Sequence, residues 1–300
     1  MVNPLISPEP MDSAGAKLFS LADLIPALEA DADRRNLARK EGRKLGPVTG
    51  LTKLDEMLGG YLAPGVHVTH GDPGTGKTAL ALQIAASCGF PALYVSAEMP
   101  MIELARRITA RITKTFLGRL KSGEMNASHA SDLAKRAFSQ CPGLYLLDAT
   151  AGPAPVEHLA SCVQMIKQKE EASQMLVVVD SAHSWAAGFR SDTQSEYDGL
   201  TSALTDLRTL ASLMEGPVIA IAERNRASRK QAGMDAAAGT RSFEYGAETV
   251  ISLEVKEDES APSPDEKRVN AHIQKNRHDA SGVYAKLAFH GALQQYQEVK

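Results

Sequence analysis

The chain has 300 residues, 33 basic against 36 acidic, a formal charge of -3 and 43% hydrophobic residues. That suffices for a large core, and near-neutrality with charges of both signs spread along the chain excludes a global attraction to nucleic acid, so any such contact needs a local basic patch. Cys88, Cys141 and Cys162 are odd in number and never paired as C-x-x-C, against a zinc ribbon or a disulfide framework. No apolar run approaches a membrane span and the N-terminus lacks the pattern of a secretory signal, which points to the cytoplasm and to no membrane partner.

In chain order, residues 1–45 read as a flexible segment followed by a linker helix. The first seventeen are rich in Pro, Ser and Met, a composition for disorder or loose attachment. Ser20 then offers a cap, Leu21, Leu24, Ile25, Leu28 and Leu37 an apolar stripe, and Pro26 a kink. This helix is either an arm for a neighbouring subunit or folds back on its own domain.

Residues 46–300 read as one α/β domain. Short apolar runs predict strands near 66–70, 92–96, 144–148, 175–180, 217–222 and 248–254, with helices at 101–119, 155–171 and 197–214. Such alternation implies right-handed crossovers, a mainly parallel sheet covered on both faces, and ligand loops at the carboxyl ends of the strands. Residues 268–298 leave little room for helices and predict antiparallel hairpins, while Lys256 to Lys267 reads as a solvated charged loop.

Between the first strand and an alanine-rich helix stands Gly71-Asp72-Pro73-Gly74-Thr75-Gly76-Lys77-Thr78, a complete G-x-x-x-x-G-K-[ST] phosphate loop in its required context. The glycines let the backbone aim amides at phosphates, Lys77 reaches the β- and γ-phosphates, and Thr78 can ligate Mg2+. The expected cofactors are ATP and Mg2+. Leu176-Val177-Val178-Val179-Asp180 ends an apolar strand on a carboxylate, suited to the metal side of such a site. Glu98, just past the strand Ala92 to Ser96, is the expected group for orienting or deprotonating the attacking water.

Together with Thr49-Gly50-Leu51-Thr52-Lys53-Leu54-Asp55-Glu56-Met57-Leu58-Gly59-Gly60 and Tyr94-Val95-Ser96-Ala97-Glu98-Met99, these motifs resemble the RecA-like core shared by DnaB-type replicative helicases and bacterial RadA-type repair ATPases over roughly residues 46–298. Pro217 to Arg226 matches the strand leading to the family's sensor, Ser242 to Glu248 the segment before the next strand, and Lys275-Asn276-Arg277 the family's K-N-R sequence. The resemblance implies that Lys275 and Arg277 enter the ATP site of an adjacent copy, and hence a ring or filament, with six copies expected. It also implies a central DNA channel, for which the stretch 224–241 supplies Arg224, Arg226, Arg229, Lys230 and Arg241, with single-stranded DNA as the expected ligand.

This sequence departs from the pattern at Glu223, where DnaB-type helicases carry a glutamine that senses the γ-phosphate; a carboxylate there repels that phosphate unless protonated or paired, as with Arg224 or Arg226. The resemblance also lacks the helical collar of the full helicases and the zinc finger and protease-like domain of RadA, which reads as a stand-alone motor core. The expected function is therefore a DNA-stimulated, oligomeric ATPase acting in replication, recombination or a mobile element, the alternative being a KaiC-like regulatory or assembly ATPase acting on a protein.

Overall fold

The computed structural model describes residues 18–189, 195–223, 246–256 and 265–299. Arg224, Arg226, Arg229, Lys230 and Arg241 lie outside the described residues, as do Ser242 to Tyr245 of the segment before the next strand. The chain forms two compact units, Met1–Leu45 and Gly46–Lys300.

In the first unit, Ser20 and Asp23 exchange hydrogen bonds, Ser20 N to Asp23 Oδ2 at 2.8 Å and Asp23 N to Ser20 Oγ at 3.3 Å. They brace the start of a 3-10 turn, Ala22–Leu24, that runs into helix α1 (Ile25–Lys40). Pro26 does not kink the helix: it occupies the first turn, where its missing N–H has no intrahelical role and its fixed φ suits the start.

The second unit is built on one nine-stranded sheet in the order β3-β2-β4-β5-β1-β6-β7-β8-β9. The parallel strands are β1 (Gly65–Gly71), β2 (Ala92–Ser96), β3 (Leu144–Asp148), β4 (Leu176–Asp180), β5 (Pro217–Glu223) and β6 (Thr249–Val255). The antiparallel extension is β7 (Glu266–Asn276), β8 (Val283–His290) and β9 (Gln295–Glu298). The mainly parallel RecA-like sheet and its terminal hairpins are thus present, and only the edges of the expected strands move.

Alternation along the strands splits the core into two layers. Tyr94, Leu176, Val178, Ile219, Ile221 and Leu253 face one side, packed on helices α2 (Thr52–Met57), α3 (Lys77–Ser87) and α4 (Met101–Thr113). Leu93, Val95, Val177, Val179, Val218 and Ala220 face the other. There they meet α7 (Val156–Lys169) and α9 (Glu196–Met214), which turn Leu159, Val163, Ile166 and Leu200, Leu204, Leu207, Ala211 inward at helical spacing. Each of the Leu, Ile and Val side chains among these contributes roughly 1.5–3 kcal/mol by leaving water.

The expected helix 101–119 is broken. After α4, Lys114 takes a left-handed conformation (φ 56°), and the chain restarts as α5 (Leu117–Lys121). Ile112, Thr113 and Thr115 are β-branched, and the Thr113 hydroxyl donates back to Thr109 O at 2.7 Å, so local side-chain bonding competes with helix continuation. A further helix, α6 (Ala127–Phe138), is capped by Asn126 and buries Leu133 and Ala137, its apolar residues 130, 133, 134, 137 and 138 recurring at helical spacing.

Candidate active site

The topology brings the functional residues to one edge. Strands β2, β4, β5 and β1 are consecutive and parallel, and the register pairs Ser96 with Asp180 and Gly71 with Glu223. The segment after β2, the end of β4, the end of β5 and the loop after β1 therefore emerge side by side. They line a cleft of about 360 Å³ that includes Gly74, Gly76, Lys77, Thr78, Glu98, Asp180 and Glu223.

The phosphate loop has the backbone its glycines permit: Gly74 has φ +81° and Gly76 φ +88°. Gly76 is also enclosed, since a Cβ there would lie 2.9 Å from the Phe289 ring and the Tyr296 hydroxyl. Those two rings stack at 4.7 Å between centroids, and Tyr296 O–H donates to Thr75 O. Gln83 of α3 closes the arrangement, donating to Tyr296 O at 3.0 Å and accepting from Tyr296 N at 2.8 Å. The last strand thus buttresses the loop, a contact over about two hundred residues of separation that no local motif announces.

Lys77 Nζ donates to Gly71 O at 2.8 Å, folding over its own loop. Burial lowers its pKa, while Glu223, Asp180, Glu98 and Asp72 support its charge. Thr78 Oγ1 donates to Asp180 Oδ2 at 2.8 Å, and Tyr94 O–H donates to the same oxygen at 2.6 Å. Asp180 is buried, which raises its pKa; the two hydroxyls and Lys77 oppose that shift and Glu98 adds to it. The buried hydroxyl–carboxylate pair, the positive-φ loop beside it and a cationic lysine form a donor set suited to a triphosphate and a hard divalent ion.

Glu98 precedes Pro100, the N-cap of α4, and so lies outside that helix, whose first turn carries Glu103 instead. Its Oε1 accepts from Ser181 Oγ and, at 2.8 Å, from Ser184 Oγ. Glu223 stands on the cleft wall, its N–H donating to His183 Nδ1 at 3.3 Å. Arg107 and Gln294 line the same cleft, with Arg107 bonded to Gln294 Oε1 and its Nε 3.3 Å from Glu103 Oε1.

Lys275 and Arg277 are not brought to this cleft. β7 is antiparallel to β6, so its first residues lie at the cleft edge and its last at the opposite edge. Lys267 shows the polarity: it is not in a loop as expected but in β7, with Nζ donating to Gly74 O at 3.2 Å. Lys275 lies eight residues further on, roughly 27 Å along an extended strand. Arg277 Nη1 sits 3.0 Å from Glu248 Oε1, and His278 Nε2 3.3 Å from Glu248 Oε2.

Thr49 N and Oγ1 donate to Asp55 Oδ1 at 2.6 and 2.7 Å, and Gly50, at φ +76°, donates to Oδ2 at 3.2 Å. The start of the Thr49 to Gly60 motif is therefore a turn wrapped around one carboxylate.

Residues 46–298 match the model of the DnaB-like helicase C terminal domain. The replicative DNA helicase DnaB of Leifsonia xyli is 26% identical over 96% of this chain and 66% of its own length. The DNA repair protein RadA of Mycobacterium tuberculosis is 29% identical over 69% of this chain and 35% of its own. The chain thus spans about two thirds or less of the curated relatives it matches. Among solved structures, a DnaB-like replicative helicase studied for its interactions with primase superposes with a TM-score of 0.74 at 18% identity, covering 95% of this chain and 68% of that one. A separately solved ATPase domain gives 0.76 at 20% identity, covering 92% and 99%. With residues 46–298 matched to its model and the phosphate loop within that span, the chain belongs to the DnaB-like helicase C-terminal domain family.

Proposed function

We propose that the chain is a Mg2+-dependent ATP hydrolase that assembles with copies of itself and acts on single-stranded DNA. The observation that carries this reading is the meeting of Lys77, Thr78, Glu98 and Asp180 in one cleft at the mouth of the phosphate loop. Amides of residues 71–76 and the N-terminus of α3 receive the phosphates, and Lys77 exchanges its loop carbonyl for phosphate oxygens. Thr78 and Asp180 would hold Mg2+, which when bound would offset the negative charge of the phosphates. Glu98 orients the attacking water and accepts its proton.

Lys275 and Arg277 serve a neighbouring copy rather than their own cleft. The strand polarity supports this, because both stand at the far edge of the sheet from Gly74. A guanidinium supplied in this way is worth on the order of 10³–10⁵ in rate. A ring of six copies is the proposed assembly, and Arg224, Arg226, Arg229, Lys230 and Arg241 are the proposed DNA contacts. The names of the replicative helicase and repair relatives support DNA as the substrate.

Turnover of ATP should rise when single-stranded DNA is added and vanish in Lys77→Ala. A turnover indifferent to DNA at every salt concentration would favour the second reading, a KaiC-like regulatory ATPase acting on a protein partner. The specific observation behind that reading is Glu223, a carboxylate on the cleft wall.

A further inference from the structure

The carboxylate of Glu98 is held in an unusual way for a group with a proton to accept. Both Ser181 and Ser184 donate to the same oxygen, Oε1, and the two hydroxyl oxygens lie 3.1 Å apart. No donor among the described residues reaches Oε2, and Glu98 lines the cleft. One oxygen is fastened and the other is left for a molecule in the cleft.

The serines are themselves fixed. Both belong to the turn that opens helix α8 (Ala182–Ala187), where Ser181 is the N-cap and accepts from Ser184 N at 3.3 Å. α8 is anchored by Trp185, whose indole N–H donates to Ala154 O at 2.9 Å and whose ring meets Phe189 edge-on at 5.3 Å. Ser181 directly follows Asp180, so one short segment carries both the acid beside Thr78 and the hydroxyls that hold Glu98. A free Glu side chain samples several rotamers, and a misplacement of about 1 Å in a reacting group can cost on the order of 100-fold.

We propose that Ser181 and Ser184 are positioning residues that clamp Glu98 Oε1 so that Oε2 faces the water that attacks the γ-phosphate. The inference rests on the assignment of Glu98 as the water-activating group. Proton balance is unaffected by the clamp: the water proton passes to Oε2, the new O–P bond forms as the bond to the ADP oxygen breaks, and the serine protons stay in place.

The test is a double-mutant cycle on the full chain, with kcat for ATP and, separately, affinity for a non-hydrolysable ATP analogue measured in each variant. Ser184→Ala should lower kcat about 10-fold with analogue affinity within about twofold. Ser184→Thr, which restores a hydroxyl, should recover most of the rate. In the Glu98→Gln background, itself slower by on the order of 100-fold or more, Ser184→Ala should add almost nothing. An additive loss in that background, or an undiminished kcat in Ser184→Ala, would overturn the clamp. A Glu98→Gln variant as fast as the parent would instead remove the assignment of Glu98 on which the clamp depends. Ser184→Ala is preferred to Ser181→Ala because Ser181 also caps α8, and the analogue affinity distinguishes a misfolded cleft from an unclamped base.

Discussion

The two edges of the central sheet differ in how complete they are. At the edge where β1, β4 and β5 end, the cleft gathers the lysine, the hydroxyl and the carboxylates from four successive parallel strands or the turns that follow them. At the opposite edge, Lys275 lies near the end of β7 and Arg277 just beyond it, with Arg277 and His278 taking one oxygen each of the Glu248 carboxylate. One edge has acids and a glycine-rich loop; the other has Arg277 and His278 against a single glutamate. The difference teaches that antiparallel strand polarity holds Lys275 roughly 27 Å along β7 from the cleft edge, the separation on which the proposed sharing of a site between copies rests.

The largest expected effect separates these edges. Arg277→Ala should reduce ATP turnover on the order of 10³-fold, while the affinity of the isolated chain for ATP, measured by titration at low protein concentration, changes little. A comparable loss of affinity in that dilute chain would place Arg277 in its own cleft and erase the contrast.

Within the cleft edge, Tyr94→Phe removes one of two hydroxyls on Asp180 Oδ2 while preserving the buried ring. Loss of a hydrogen bond to a charged group is worth about 1.5 kcal/mol, so the Mg2+ concentration for half-maximal nucleotide binding should rise about 10-fold. An unchanged metal titration would mean that Thr78 alone sets Asp180. Glu223→Gln should act more weakly, tightening binding of an ATP analogue about fivefold relative to ADP by removing a charge near the γ-phosphate. Equal effects on both nucleotides would remove Glu223 from the γ-phosphate end of the cleft.

A separate expectation concerns stability, not activity, at the other edge. His67 of β1 is fully buried, with Nε2 2.7 Å from Ala63 O, and burial lowers its pKa from 6.5 to about 4. Between those values the unfolded chain binds a proton that the folded chain refuses, so stability falls as pH drops from 6.5 towards 4. The loss amounts to roughly 3 kcal/mol at the lower limit. In denaturant titrations at pH 7 and pH 4.5, the parent should lose more stability between the two than His67→Gln does. Equal losses would mean that other groups carry the pH dependence.

Much of this arrangement is legible in the sequence because its signals are local. The phosphate loop, the apolar run ending in Asp180 and the strand before Glu98 each announce themselves within about ten residues, and the alternation of strands predicts that their loops share an edge. What stays hidden depends on partners distant along the chain. Tyr94 meets Asp180 across 86 positions, Ser181 meets Glu98 across 83, and Tyr296 meets Thr75 across 221. Lys267 defeats a local reading for a related reason: the stretch around it is charged and polar, yet an antiparallel register carries it back to Gly74. The break at Lys114 escapes because apolar periodicity is blind to threonine hydroxyls that bond back to the helix.

The central claim, that one copy binds the nucleotide and the next completes the site, is tested most directly by mixing two inactive variants. Lys77→Ala spoils its own cleft but keeps Arg277; Arg277→Ala keeps an intact cleft but lacks the guanidinium. In a random one-to-one mixture, about a quarter of the interfaces pair the intact cleft with the intact arginine. The account predicts that ATP turnover reappears on mixing at a comparable fraction of the parent rate and disappears on dilution below assembly. A mixture of properly assembled variants that stays as inactive as its components would contradict it.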